Sequence, residues 1–68
     1  MDCSGLLIGD IVLMADNQAA RVSFVNQVPF YINLRVPIEG EMYEYKYDVN
    51  GLPMDDSPFG AVTEKLTN

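Results

Sequence analysis

Between positions 30 and 36 the chain alternates without interruption between apolar side chains and polar or amphipathic ones. Successive side chains of a β-strand point to opposite faces, so a period of two predicts a strand with one buried face. No segment of about 11 to 18 residues has the period of an amphipathic helix. The pattern therefore predicts an all-β protein. The predicted buried face consists of Phe30, Ile32, Leu34 and Val36, and the opposite face consists of Tyr31, Asn33 and Arg35.

Shorter alternating segments, separated by turn-forming residues, predict further strands on both sides of this one. The predicted strands are residues 6–14, 20–26, 30–36, 41–48 and 52–54. Within the first, Gly9 and Asp10 predict a kink or bulge. Within the second, Val22 and Phe24 are predicted to share a face. Residues 61–66 fit either a sixth short strand or a single helical turn.

The turn signals between these strands limit the possible architectures. Asn50 and Gly51 form the strongest hairpin signal in the chain, and Pro37 is expected to end the third strand because it cannot donate to a ladder. Five or six short antiparallel strands in 68 residues predict one domain over residues 1–68. We expect a small, strongly bent SH3-like barrel whose closure hides most strand edges. An oligonucleotide-binding barrel is the alternative, although it usually needs a longer chain and an inserted helix.

The size of the chain and its single cysteine restrict how it is stabilised. A domain this short buries only about 60% of the surface that its unfolded chain exposes. Cys3 is the only cysteine and there is no histidine, which excludes an internal disulfide and a zinc site built from cysteine and histidine. Tight packing or self-association is therefore expected to complete the core. The cysteine content also favours a reducing compartment, so we expect a cytoplasmic protein.

The charge balance bears on the choice of partner. Ten acidic residues against four basic ones give a net charge of −6. Nucleic-acid binding requires clustered lysine and arginine, and anionic membranes repel an acidic surface, so both are disfavoured. No apolar run approaches the roughly 20 residues of a membrane-spanning helix. We expect a protein partner, particularly a basic one, or a neutral small molecule, although solubility alone is the simpler explanation of the charge.

No combination of residues indicates a catalytic site or a cofactor. The commonest general base, histidine, is absent, and Cys3 is expected near a mobile N-terminus beside Asp2, whose negative charge raises a thiol pKa. Glu41 and Glu44 fall on different faces of their strand, unlike the paired carboxylates of a hydrolase. A loop with Asp55 and Asp56, near Asp48 and Asn50, could hold a divalent cation, but it lacks EF-hand spacing. We expect solvated acids there, no metal site and no enzyme.

Aromatic residues provide the most specific indication of a binding surface. Tyr43, Tyr45 and Tyr47 share one face, which is either the core face of the strand or a peptide-binding groove; the first reading is preferred because a strand needs a buried face. Tyr31 is expected to be exposed beside Arg35, and tyrosine and arginine are enriched at interface hot spots. The predicted partner-binding residues are Tyr31, Arg35, Glu39, Glu41 and Glu44.

Three segments resemble known small barrels. Residues 7–12 (LIGDIV), followed by 20–22 (ARV), resemble the opening of SH3-like and KOW-like barrels. Residues 45–51 (YKYDVNG) are similar to a hairpin of short phage and prophage proteins, and residues 58–66 (PFGAVTEKL) are similar to tails of prophage proteins of unassigned function. The basic residues of a nucleic-acid-binding KOW module are missing. The resemblance implies a fold and a phage or mobile-element origin, and no activity.

These observations lead to three hypotheses from different classes. The first is a non-enzymatic protein-binding module, as an accessory or inhibitor protein of phage or prophage origin that acts on a host protein. The second is a structural or assembly subunit that forms a homo-oligomer by edge pairing, to which flexible Met14, Met42 and Met54 side chains contribute. The third is a nucleic-acid-associated barrel, which the charge disfavours.

Overall fold

The computed structural model describes residues 1–67, which fold into a single five-stranded antiparallel sheet. The strands are β1 (Ile11–Met14), β2 (Ala19–Asn26), β3 (Tyr31–Ile38), β4 (Glu41–Tyr47) and β5 (Val62–Lys65). Their order across the sheet is β4-β3-β2-β1-β5. The prediction of an all-β fold is confirmed. These residues include no helix long and apolar enough to cross a membrane.

The expected closure of the sheet is wrong. The two edge strands are β4 and β5, and within the described chain no ladder joins them. A barrel removes its edges only by closing, so this open sheet retains two. One face of the sheet is buried, and the edge along β4 is partly uncovered, as described below.

The β3–β4 hairpin is the longest paired region of the sheet and follows its predicted turn. Seven residue pairs join the two strands, from Ile32 with Tyr47 to Ile38 with Glu41. Glu39 and Gly40 form the two-residue loop, and both have positive φ, as a type I′ turn requires. Pro37 does not end β3 as expected. It pairs with Met42 inside the strand, at a position where β3 need not donate to β4.

A bulge in β2 changes which side chains share a face. Val22 pairs with Leu34 and Phe24 pairs with Asn33, so Ser23 is an extra residue in β2. A bulge of this kind reverses the side-chain alternation beyond it. The predicted shared face of Val22 and Phe24 is therefore wrong: Val22 is fully buried, whereas Phe24 is 43% exposed on the outer face.

The core lies on one face of the sheet, and segments outside the strands complete it. Cys3, Leu6 and Phe59 are buried there with side chains from the strands. The remaining members are Val12, Met14, Ala20, Val22, Ile32, Leu34, Val36, Tyr47 and Val62. The expectation that Cys3 lies near a mobile terminus is wrong, because its side chain has no exposed surface and its N–H donates to the Val49 carbonyl at 2.7 Å.

The first predicted strand begins later than expected. Residues 6–8 are not a strand, and Leu7 and Ile8 are exposed in a turn while Leu6 enters the core. The interruption at Gly9 and Asp10 organises this turn. Asp10 accepts a hydrogen bond from the Leu7 N–H at 2.8 Å and forms an ion pair with Lys65 at 3.5 Å. The Gly-Asp pair therefore stabilises the entry into β1 and holds it against β5.

The C-terminal third resolves the open question about residues 61–66. Val62–Lys65 forms strand β5, antiparallel to β1. The predicted strand at residues 52–54 is reduced to an isolated bridge between Tyr47 and Pro53. Gly51 has positive φ and lies so close to β5 that a Cβ atom there would be 3.1 Å from the Val62 Cβ. The Asn-Gly turn thus brings the chain back against β4 before the last strand.

Candidate binding surface

The face of the sheet opposite the core, here called the outer face, carries most of the predicted partner-binding residues. Pairing in the β3–β4 ladder places Arg35 opposite Glu44 and Asn33 opposite Lys46. Alternation along β3 places Tyr31 on the same face. The bulge in β2 adds Ser23 and Phe24 to this face.

Glu44 is the centre of a hydrogen-bonded network on the outer face. Its carboxylate accepts from the Arg35 Nη2 at 3.1 Å and Nε at 3.3 Å. It also accepts from the Ser23 Oγ and the Asn33 Nδ2, both at 3.2 Å. The ion pair is exposed, with 49% and 41% of the two side chains accessible, so it contributes at most about 1 kcal/mol to stability. The network fixes the position of the carboxylate while leaving it accessible.

Tyr31 is half-buried and belongs to a second cluster on the outer face. Its ring lies 6.0 Å from the Phe24 ring, centroid to centroid, and the Lys46 Nζ lies 4.5 Å from its centroid. The second contact has the geometry of a cation–π interaction. Tyr31 and Arg35 are four residues apart on β3, about 13 Å at the rise of a strand, with Asn33 between them. They share a face but do not contact each other.

Glu39 and Glu41 lie apart from this network. Glu39 is in the β3–β4 turn, and Glu41 starts β4 opposite Ile38, on the core side of the alternation. The Glu41 carboxylate accepts from the Tyr43 hydroxyl at 2.8 Å, and this hydrogen bond raises the pKa of Tyr43. Of the five predicted residues, the structure therefore brings only Arg35 and Glu44 into direct contact.

The tyrosine stripe of β4 becomes progressively buried along the strand. Tyr43 is 38% exposed, Tyr45 packs edge-on against Phe59 with centroids 5.7 Å apart, and Tyr47 is fully buried. Tyr47 shares a short hydrogen bond with Ser57, and burial raises the pKa of its phenol. The interpretation of the stripe as a core face agrees with this arrangement.

The free edge of β4 is uncovered at one end only. The Lys46 carbonyl accepts from the Met54 N–H at 2.8 Å, and the Lys46 N–H donates to the Asp55 carboxylate at 3.0 Å. Backbone groups alternate in direction along a strand, so those of Met42 and Glu44 also point away from β3. Within residues 1–67 nothing pairs with them. We call the segment Glu41–Tyr45 with these groups the open edge.

Sequence reasoning missed several members of this surface. Asn33 could have been found, because alternation already placed it between Tyr31 and Arg35. Ser23 and Phe24 could not, because their positions depend on the bulge. The open edge depends on where residues 52–55 end their contact with β4, which no local pattern specifies.

The reactive and metal-binding candidates from the sequence are Cys3 and the acidic residues around positions 48–56. Burial raises the pKa of the Cys3 thiol, and the negative charge of Asp2 acts in the same direction. The Asp48 carboxylate accepts the N–H groups of Asn50 and Leu52 at 2.9 and 3.0 Å. Across residues 1–67, no three acidic or cysteine side chains are close enough together to hold a metal ion.

Comparison of this chain with known protein families, with curated proteins and with solved structures found no match.

Proposed function

We propose that this chain is a non-enzymatic protein-binding module that captures an extended, basic segment of a partner along the open edge of β4. The observation that carries the proposal is the outward-pointing backbone of Met42 and Glu44, whose N–H and C=O groups have no partner among residues 1–67. An extended peptide can add to such an edge through main-chain hydrogen bonds, while its alternate side chains contact the two faces of the sheet.

The side chains beside the open edge suit such a partner. Met42 is 64% exposed and Tyr43 is 38% exposed, so both offer apolar contact area to an added strand. Flexible methionine and amphipathic tyrosine are common at adaptable interfaces.

The charge around the open edge favours lysine and arginine in the partner. Glu39 and Glu41 stand at one end of the edge, and Asp55 is held at the other by the Lys46 N–H. On the outer face, Arg35 is already compensated by Glu44. Opposite charges accelerate association and determine the register of the partner.

The strand order and two sequence resemblances support the same proposal. A meander of four strands, with a fifth strand returning beside the first, is the strand order of a bent SH3-like sheet that stays open. The resemblance of residues 45–51 and 58–66 to phage and prophage proteins supports an accessory or inhibitor protein that acts on a host protein in the host cytoplasm.

The test compares two substitutions at one position. Met42→Pro removes the N–H that points to the open edge, and Met42→Ala shortens the side chain but keeps the N–H. Affinity capture from a host lysate is expected to retain the partner with Met42→Ala and to lose it with Met42→Pro. Equal capture by both variants would exclude the edge. Unchanged capture by Tyr31→Ala would exclude the cluster around Tyr31.

A homo-oligomer is the second candidate, favoured by the same unpaired backbone. Two copies of β4 paired antiparallel about Tyr43 would place Met42 of each copy opposite Glu44 of the other, which opposes no like charges. Light scattering over a range of protein concentrations separates the two functions. A mass that rises with concentration for the unmodified chain, but not for Met42→Pro, would assign the edge to self-association. Nucleic-acid binding remains disfavoured by the charge of −6, and salt-dependent filter binding would reverse that view.

A further inference from the structure

A groove lies on the outer face beside the end of the β3–β4 hairpin and shares only Met42 with the open edge. Its volume is about 330 Å³, near the lower end of the range of small-molecule sites. Its walls are mostly apolar, and two arginine side chains line it. The lining residues include Ile11, Ala19, Arg21, Arg35, Pro37 and Met42.

The two arginines are held close together by the sheet. Arg21 of β2 and Arg35 of β3 are register partners, so their Cβ atoms are about 5 Å apart. Like charges directly opposite each other destabilise a sheet. Arg35 is compensated by Glu44, but within residues 1–67 Arg21 has no salt-bridge partner.

The other basic side chains are already engaged. Lys65 pairs with Asp10, and Lys46 lies over the ring of Tyr31. Arg21 is therefore the one basic side chain in the described part of the chain without a carboxylate or aromatic partner. In a chain with a net charge of −6, this is a local excess of positive charge.

The local charge favours a small anionic ligand. Arg21, Arg35 and Glu44 together carry one net positive charge, which matches one monoanion. Polyanions are disfavoured by the acidic remainder of the surface. The planar fork of arginine matches the geometry of a carboxylate, and the apolar walls suit a short hydrocarbon body.

We propose that this groove binds a small apolar monocarboxylate, with Arg21 donating to the carboxylate and with Ile11, Ala19, Pro37 and Met42 packing against the hydrocarbon body. The site is independent of the open edge, apart from Met42, whose side chain lines the groove and whose backbone belongs to the edge. The ligand would also relieve the repulsion between Arg21 and Arg35.

The test is an NMR titration of the labelled chain with 4-methylpentanoate and, separately, with its uncharged amide 4-methylpentanamide. The acid is expected to produce saturable shifts at Ala19, Arg21 and Met42. The amide cannot form the hydrogen bond between charged groups, so it should bind at least about tenfold more weakly than the acid.

Two charge substitutions form the matched pair. Arg21→Gln removes the proposed donor and should weaken binding of the acid by about tenfold or more. Lys46→Gln makes the same change in net charge elsewhere on the outer face. It should leave the affinity for the acid within about twofold of the unmodified chain, since Lys46 does not line the groove. Ala19→Leu fills the groove and should weaken the acid and the amide together. Backbone amide spectra show whether each variant keeps the fold.

Several outcomes would overturn the proposal. These are equal affinity for the acid and the amide, full affinity in Arg21→Gln, and the absence of saturable shifts up to the solubility of the acid. A third ligand, N-acetyl-glycyl-leucine with a free carboxylate, tests a different source of the same chemistry. If the dipeptide binds more tightly than the small acid, the groove recognises a polypeptide C-terminus instead.

Discussion

Glu44 and Arg35 face each other across the β3–β4 ladder, and one carboxylate oxygen of Glu44 accepts two hydrogen bonds from the guanidinium of Arg35, at 3.1 and 3.3 Å. The pair joins the edge strand to its neighbour on the face where the proposed groove lies. Arg35 contributes to the groove, and Glu44 determines how much of its charge remains available.

Neutralising Glu44 is expected to change stability little and ligand affinity more. Glu44→Gln should lower the free energy of unfolding by less than about 1 kcal/mol, because exposed ion pairs contribute little. The change leaves both arginines uncompensated, so 4-methylpentanoate should bind more tightly than to the unmodified chain. Chemical denaturation and NMR titration measure the two effects. A loss above about 2 kcal/mol would show that the network is a structural requirement of the sheet.

Proline substitutions at adjacent positions test the direction of the backbone groups in β4. Met42→Pro should cost less than about 1 kcal/mol, since the N–H of Met42 points to the open edge. Tyr43→Pro should cost several times more, because the Tyr43 N–H faces β3 and its loss breaks the ladder. Urea denaturation of both variants gives the comparison. Equal costs would contradict the register of the hairpin.

The close approach of Gly60 to Ala15 predicts that Gly60→Ala destabilises the fold, and Gly40→Ala is the matched control. A Cβ atom at Gly60 would lie 2.9 Å from the Ala15 Cβ, and its φ of +74° is strained for alanine. Gly40 has a similar φ of +82° but open space around it. Gly60→Ala should therefore cost more than Gly40→Ala, which reports the strain alone, at roughly 1 kcal/mol.

The steric part of the Gly60 effect can be isolated in a double variant. Ala15→Gly removes the opposing methyl group, so it should rescue part of the loss in Gly60→Ala and none of the loss in Gly40→Ala. Thermal unfolding of the unmodified chain, the three single variants and the two double variants measures this coupling. Failure of the rescue would exclude the Ala15 contact as the cause.

The buried Cys3 thiol predicts a decrease in stability at alkaline pH. Its pKa in the folded protein is raised above the ordinary value of 9.0, mainly by burial. The folded state therefore binds this proton more tightly than the unfolded state does. The resulting stability is complete below about pH 9 and is lost as the pH rises through the folded pKa.

Denaturation at several pH values tests this linkage. Cys3→Ala should reduce the pH slope above about pH 9, even if it lowers stability at neutral pH by leaving a cavity. The phenol of Tyr47, whose pKa burial raises above 10.0, adds a further decline at higher pH. An unchanged slope in Cys3→Ala near pH 9 would contradict the assignment to the thiol.

Local sequence patterns predicted the structure wherever the conformation of a segment does not depend on the segments around it. The alternation from Ile32 to Val36 predicted β3 and its buried face, because burial on one side of a strand imposes a period of two. The same reasoning placed Arg35 on the outer face and Tyr47 among candidate core residues. Turn residues at positions 37–40 predicted the hairpin loop, although Pro37 itself lies within β3.

Contacts between segments decided the rest, because they depend on register and on which surfaces remain uncovered. The bulge at Ser23 arises from the pairing of β2 with β3, and it moved Phe24 out of the core. Residues 61–66 could be strand or helix until β1 provided hydrogen-bond partners for Val62–Lys65. By itself the sequence determined an all-β chain, its main turns and a buried face on β3. Only the tertiary structure decided that the sheet stays open, that part of the β4 edge has no partner among residues 1–67, and that Arg21 meets Arg35 in a groove. These features join residues far apart in the chain, and no local pattern encodes their distances.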